Sequence, residues 1–161
     1  MAQDATAACP CGRLSDAHSG QPSSGKVSKA VKTPLTFASC CGAYLAGTSL
    51  PPDPESLMRS RYTAFVRGDE SYLRATWLAK NCPTVIHLRA ETHWLGLEVK
   101  HAPPPAANRG TVHFVARCRE AGKGQRIEEN SLFEQVAGRW LYVGAAESFR
   151  WCPVQTGKQR V

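Results

Sequence analysis

The chain has 161 residues, 42% of them apolar, with 20 Lys and Arg against 13 Asp and Glu for a net charge of +7. That length leaves room for one ordinary domain and a small appendage. Seven cysteines, an odd number, argue against a closed disulfide framework, and no apolar run approaches the roughly 20 residues of a membrane span.

The N-terminus, MAQDATAACP, carries an acid and lacks the apolar run of a secretory leader, so a reducing, cytoplasmic setting is expected, where thiols favour metal over disulfides. The positive charge permits contact with nucleic acid, ribosome or anionic lipid without requiring it. Basic residues are spread along the chain, and the nearest approach to a cluster is Lys26, Lys29 and Lys32.

In chain order, residues 1–8 read as a loose lead, followed by CPCG with Cys9 and Cys11. Residues 13–33 are rich in Ser, Gly, Lys and Ala, a composition that cannot bury a core, so a mobile loop is expected there. CCG with Cys40 and Cys41 comes next. Four thiolates complete a tetrahedral site for a soft ion, zinc or iron, and such a site would close the long insert at its base. A closed four-thiolate set leaves no coordination position for substrate, so it would be structural or a recognition knuckle. A redox pair, or scattered buried thiols, are the other readings; His18 is a substitute ligand inside the insert. The glycine after each pair lets backbone amides approach sulfur.

Residues 51–54 (PPDP) are a hard break. Asp53 is a good N-cap, Pro54 suits the first helical position and Gly68 the C-cap, so a helix is predicted between them. At about 100° per residue, Met58, Tyr62, Phe65 and Val66 fall on its apolar face, with Arg61 at the edge. A second helix starts at Asp69 and carries Tyr72, Leu73, Thr76 and Trp77 inward, followed by a short irregular piece over 84–89. The period then changes to two. Residues 94–99 place Leu95, Leu97 and Val99 on one side. Residues 111–120 place Val112, Phe114, Ala116 and Cys118 on one face, and 126–136 and 139–144 are the next strands, joined at Ala137 and Gly138. Helices first and an antiparallel meander after them predict an α+β domain with helices packed on one sheet face.

CPCG, CCG and the following Tyr44, Leu45, Ala46 and Gly47 resemble the SEC-C motif, a small zinc-binding element. The stretch LMRSRYTAFV (57–66), with Tyr72–Leu73, Thr76–Trp77, WLGL (94–97), Val112 to Arg117, Glu129, Ser131, Phe133, Trp140 and Tyr142, resembles the YchJ-like family. The resemblance implies a SEC-C-type zinc element, residues 1–50 with the insert, a cone-shaped domain like nuclear transport factor 2 over 51–146, and a tail over 147–161. It also implies surroundings of protein export, chaperones or ribosomes. Two departures stand out: the spacer between cysteine pairs is long, and the tail holds only Cys152, too few thiols for a second SEC-C element.

The expected function is therefore a zinc-binding, non-enzymatic interaction protein whose knuckle contacts a protein partner. A small-molecule binder or isomerase-like or hydratase-like enzyme using the cone pocket is the alternative, with Arg59, Arg61, Tyr62, His113 and Glu129 as pocket candidates. Nucleic-acid binding through the basic insert is a third reading. A buried guanidinium needs partners, so Arg61 is predicted to pair with Glu129 first and Glu91 second.

Overall fold

A helix of fourteen residues, α1 (Pro54–Arg67), lies across a four-stranded sheet and is flanked on its other side by the cysteine segments and by a short helix, α2 (Glu70–Ala75). The computed structural model describes residues 5–15 and 32–146. The expected insert with Lys26, Lys29 and His18, and the tail with Cys152, lie outside the described residues apart from the ends of the insert.

The predicted punctuation of α1 is observed. Asp53 accepts from the amide of Ser56 at 2.7 Å, Pro54 opens the first turn, and Gly68 closes the helix in the left-handed region at φ 69°. Asp69 caps α2 by accepting from the Tyr72 amide at 2.9 Å. The burial of α1 runs further round than its apolar stripe. Ser56, Ser60 and Thr63 are buried, because Arg13 and Tyr72 bond the first two and Cys9 approaches the third. Val66, placed on the buried face by periodicity, is 37% exposed at the edge of the stripe.

The sheet is an antiparallel meander in the order β1 (His93–His101), β2 (Arg109–Glu120), β3 (Lys123–Val136) and β4 (Arg139–Ala145). Two Ala-Gly turns, Ala121–Gly122 and Ala137–Gly138, close the last two hairpins with positive φ at both residues, the twist that tight hairpins require. Val112, Phe114, Ala116 and Cys118 face the core as the alternation predicts.

One strand departs from its predicted alternation. Leu95 is 59% exposed, whereas Trp94, Leu97 and Val99 pack against the core. Trp94 pairs with Cys118 and Gly96 with Arg117, so Leu95 is the extra residue of a bulge that resets the alternation. Further register shifts follow Val99 and Leu132. Such shifts bend strands and increase local twist, which leaves a concave sheet face against α1.

The N-terminus of α1 is fixed against this sheet. Trp140 Nε1 donates to the Pro52 carbonyl at 3.1 Å. A Cβ placed on Gly110 would lie 2.4 Å from Pro54 Cγ, a contact that both backbones would have to relieve. Gly110→Ala is expected to lower stability by about 1–3 kcal/mol, the usual cost of overpacking. Urea unfolding checks this: the midpoint should fall with an unchanged slope. An unchanged midpoint would show that the helix start can shift freely.

Candidate functional site

Two short chain segments build the cysteine cluster. They run antiparallel, with Ala8 bridging Thr36 and Leu14 bridging Pro34. The Cys9 amide donates to the Leu35 carbonyl at 2.8 Å, and the Leu35 amide to the Arg13 carbonyl at 2.9 Å. Ser15 and Thr33 continue the pairing, so the insert departs from a hydrogen-bonded neck, and its length does not separate the two cysteine pairs. After Thr36 the chain enters a π-helical turn, Ala38–Gly42, followed by one α-helical turn, Ala43–Leu45.

The wide turn carries the adjacent Cys40 and Cys41 to the same point as Cys9 and Cys11. All four sulfurs lie within 4.8 Å of one another and all four residues are buried. Cys11 Sγ is 3.6 Å from Cys40 Sγ, and Cys40 Sγ is 3.8 Å from Cys41 Sγ. A tetrahedral ion with metal–sulfur bonds near 2.3 Å needs sulfurs about 3.8 Å apart, so the donor set and its spacing fit a thiolate-bound ion. A disulfide needs about 2.05 Å, and the cysteines are free. The four could bind a metal ion.

The two glycines serve different purposes. Gly12, at φ 68°, folds the chain back so that the Arg13 amide reaches the Cys11 sulfur, while the Cys11 amide reaches Cys9. Gly42 is needed for space: a Cβ there would sit 2.7 Å from the Phe37 carbonyl oxygen. Without a metal the thiols share their protons. Hydrogen bonds from Cys40 and Cys41 pull Cys11 down to about 7, and bonds from Cys11, Cys40 and Cys41 hold Cys9 lower still. Cys40 and Cys41, which donate toward Cys11, are pushed up.

Two arginines tie the cluster to α1. Arg59 donates to the Cys11 carbonyl at 3.0 Å and to Glu55 at 2.7 Å. Arg13 reaches Ser56 at 3.2 Å and lies 3.7 Å from Glu55. Arg59 therefore supports the cysteine segment and does not line the concave side of the sheet.

That concave side holds a solvent-open cavity of about 640 Å³. Of the pocket candidates, Arg61, Tyr62 and Glu129 line it. His113 does not: it points to the opposite sheet face, where Nε2 is 2.8 Å from Glu128, as strand alternation requires. Arg61 is 3% exposed, and burial pushes its guanidinium down to about 10. Its predicted carboxylate partner is not there. Among the described residues neither Glu129 nor Glu91 pairs with it; Nη1 donates to the Leu73 carbonyl and to Thr76 Oγ1, each at 2.8 Å. The rings of Trp77 and Tyr142 lie together on one side of it, with centroids 4.7 and 4.5 Å from Cζ and 4.9 Å from each other. Tyr142 stands between the two charges, and its hydroxyl donates to Glu129 Oε1 at 2.8 Å.

Sequence reasoning missed Arg13, Thr63, Trp77 and Tyr142 as site residues. Tyr142 alternates with the buried Trp140, which was a usable signal. Trp77 owes its place to a parallel bridge with Tyr142 just after α2, for which local periodicity holds no sign. Among the described residues no helix is long and apolar enough to cross a membrane.

A family model described as the YchJ middle domain, NTF2-like, matches residues 53–145. A UPF0225 protein of Polaromonas naphthalenivorans is 44% identical over 138 residues, covering 86% of this chain and 96% of that one. One from Chromobacterium violaceum is 39% identical over 147 residues, covering 88% and 93%. Among solved structures, a SEC-C motif containing protein from Rhodopseudomonas palustris superposes with a TM-score of 0.64 at 35% identity, over 71% of this chain and 93% of that one. Another from Psychrobacter arcticus gives 0.66 at 26% identity, over 92% and 88%.

Proposed function

Because the chain belongs to the YchJ-like family, with its NTF2-like domain and SEC-C motif relatives, we propose that it is a zinc-binding interaction protein whose metal serves structure and recognition. The observation that carries this reading is the buried quartet of sulfurs within 4.8 Å. Cys9, Cys11, Cys40 and Cys41 would be the ligands. With four thiolates bound, the ion has no open position for water or substrate, so catalysis by the metal is excluded on coordination grounds. Zinc would supply a rigid crosslink between segments that share few backbone hydrogen bonds, and the ion's preference for four sulfurs in a tetrahedron favours it over harder cations. Iron is the competing occupant of the same donor set.

In this reading residues 1–50 form the metal-binding segment, 51–146 the NTF2-like domain and 147–161 a tail. The metal holds the first against α1 and so presents a defined surface to a protein partner in a cytoplasmic setting of export, chaperone or ribosome work. Metal analysis of the full chain purified without added metal tests the proposal. About one equivalent of zinc per chain is expected, without the visible absorption of an iron–sulfur centre. Iron in place of zinc, or a chain that takes up neither when titrated under reducing conditions, overturns it.

A further inference from the structure

The cavity between α1 and the sheet stands apart from the cysteine cluster. Met58, Arg61, Tyr62 and Phe65 of α1 face it, at helical spacing on one side. The contacts to the cysteine segment come from Ser56, Arg59 and Thr63 on the other. At about 640 Å³ the cavity falls within the range of small-molecule sites. Its walls are largely aromatic and aliphatic, with Trp94, Phe114 and Ile127 adding to the α1 residues.

Polar side chains also line it, His87, Arg89, Glu120 and Gln125 among them, and three features bear on what the site could hold. The first is Arg61. Among the described residues only Nη1 has hydrogen-bond partners, and the rings of Trp77 and Tyr142, whose centroids are 4.9 Å apart, meet the guanidinium from one side. The Nε–Nη2 edge has no partner among the described residues. That edge carries two parallel N–H bonds, the fork that matches a carboxylate bidentately. The second is Trp77, which lines the same cavity and whose buried Nε1–H has no acceptor among the described residues. Buried donors without partners are rare in native structures and call for a ligand or ordered water. The third is Glu129, whose Oε1 is held by Ser131 Oγ at 2.6 Å and Tyr142 at 2.8 Å. These two hydroxyls hold the carboxylate on the far side of the Tyr142 ring, and among the described residues it makes no ion pair with Arg61 although its charge favours the charged guanidinium.

A desolvated guanidinium with a preformed fork, no carboxylate of its own and apolar walls around it has a definite complement. We propose that the cavity binds a small organic carboxylate with an aromatic or alkyl body, its carboxylate on the Nε–Nη2 edge of Arg61 and its body against Tyr62, Phe65 and Trp94. The site is independent of the metal, and its failure would leave the zinc reading untouched.

The test is a titration of the isotope-labelled full chain, followed through the Arg61 Nε–H and Trp77 Nε1–H resonances. The latter is assigned with Trp77→Phe. The probes are phenylacetate, 3-phenylpropanoate and hexanoate, each paired with its neutral amide. At least one acid should bind saturably, shift both resonances and exceed its amide at least tenfold in affinity. Arg61→Met should erase the preference for acid over amide, and Arg61→Lys, which keeps the charge but not the fork, should reduce it. The proposal is overturned if no acid binds, if acids and amides bind alike, or if Arg61→Met keeps the preference. Should Arg61→Met fail to fold, the shifts of the wild-type Arg61 resonance and the acid-to-amide ratio decide the matter alone.

Discussion

Cys41→Ser is expected to cost the chain its bound zinc and the order of its N-terminal ribbon, while the helix and sheet stay folded. Cys41, one of the sulfur quartet, is 1% exposed. A serine hydroxyl is too weakly acidic to replace a thiolate, so three ligands would remain around an opened position. Structural zinc contributes on the order of 10–16 kcal/mol in small zinc-dependent folds. Besides the metal, the ribbon has a handful of backbone bonds between 7–15 and 33–37, the bonds of Arg13 to Ser56 and of Arg59 to the Cys11 carbonyl, and the packing of its cysteines, Leu35 and Phe37 on the core. The helix–sheet layer carries most of the core that the cysteines join, with Leu57, Leu73, Val112 and Phe133 at 0–2% exposure. Chelator competition should show the affinity for zinc falling by several orders of magnitude. Hydrogen exchange should show lost protection at the Cys9 and Leu35 amides, with β2 and β3 amides unchanged. A variant that retains a full equivalent at wild-type affinity would remove Cys41 from the ligand set.

That contrast follows how the sequence could be read. The four cysteines were legible because thiol chemistry is a property of residue type, and α1 because Asp53, Pro54 and Gly68 are local signals that the helix termini use directly. The strands were legible where alternation persists, as in Val112 to Cys118. What escaped depends on pairing between distant segments. The ribbon that joins Ala8 to Thr36 crosses an insert whose composition says nothing about its ends. The bulge at Leu95 inverts a run that reads as regular, because only the partner strand reveals that Trp94 and Gly96 face consecutive residues. The partners of Arg61 were misassigned for a related reason. Opposite charge is the obvious match for a buried cation, and Glu129 does line the same cavity, yet Tyr142 sits between them and takes both: the guanidinium on its ring and the carboxylate on its hydroxyl.

This arrangement makes the stability of Arg61 variants informative about why the arginine is there. Arg61→Ala is expected to lower stability by about 2–4 kcal/mol, because it removes the side-chain stem from a packed wall and leaves space behind. Arg61→Met, similar in length and apolar, is expected to change it by no more than about 1 kcal/mol, or to raise it. Removing one member of a buried ion pair is costly because it strands the other charge. Here no charge is stranded: Glu129 keeps Ser131 and Tyr142, and Thr76 Oγ1 keeps its bond to the Tyr72 carbonyl at 2.7 Å. The ring contacts are worth about 0.5–2 kcal/mol each, while desolvating a guanidinium costs several kcal/mol. The two roughly cancel, which leaves methionine's packing to decide the sign. Chemical denaturation of both variants measures this. A loss above about 3 kcal/mol for Arg61→Met, the range for breaking a buried pair, would mean that the charge itself holds the fold together. A small change, together with loss of the preference for carboxylates, places the reason for a buried arginine at this position in the ligand that it meets.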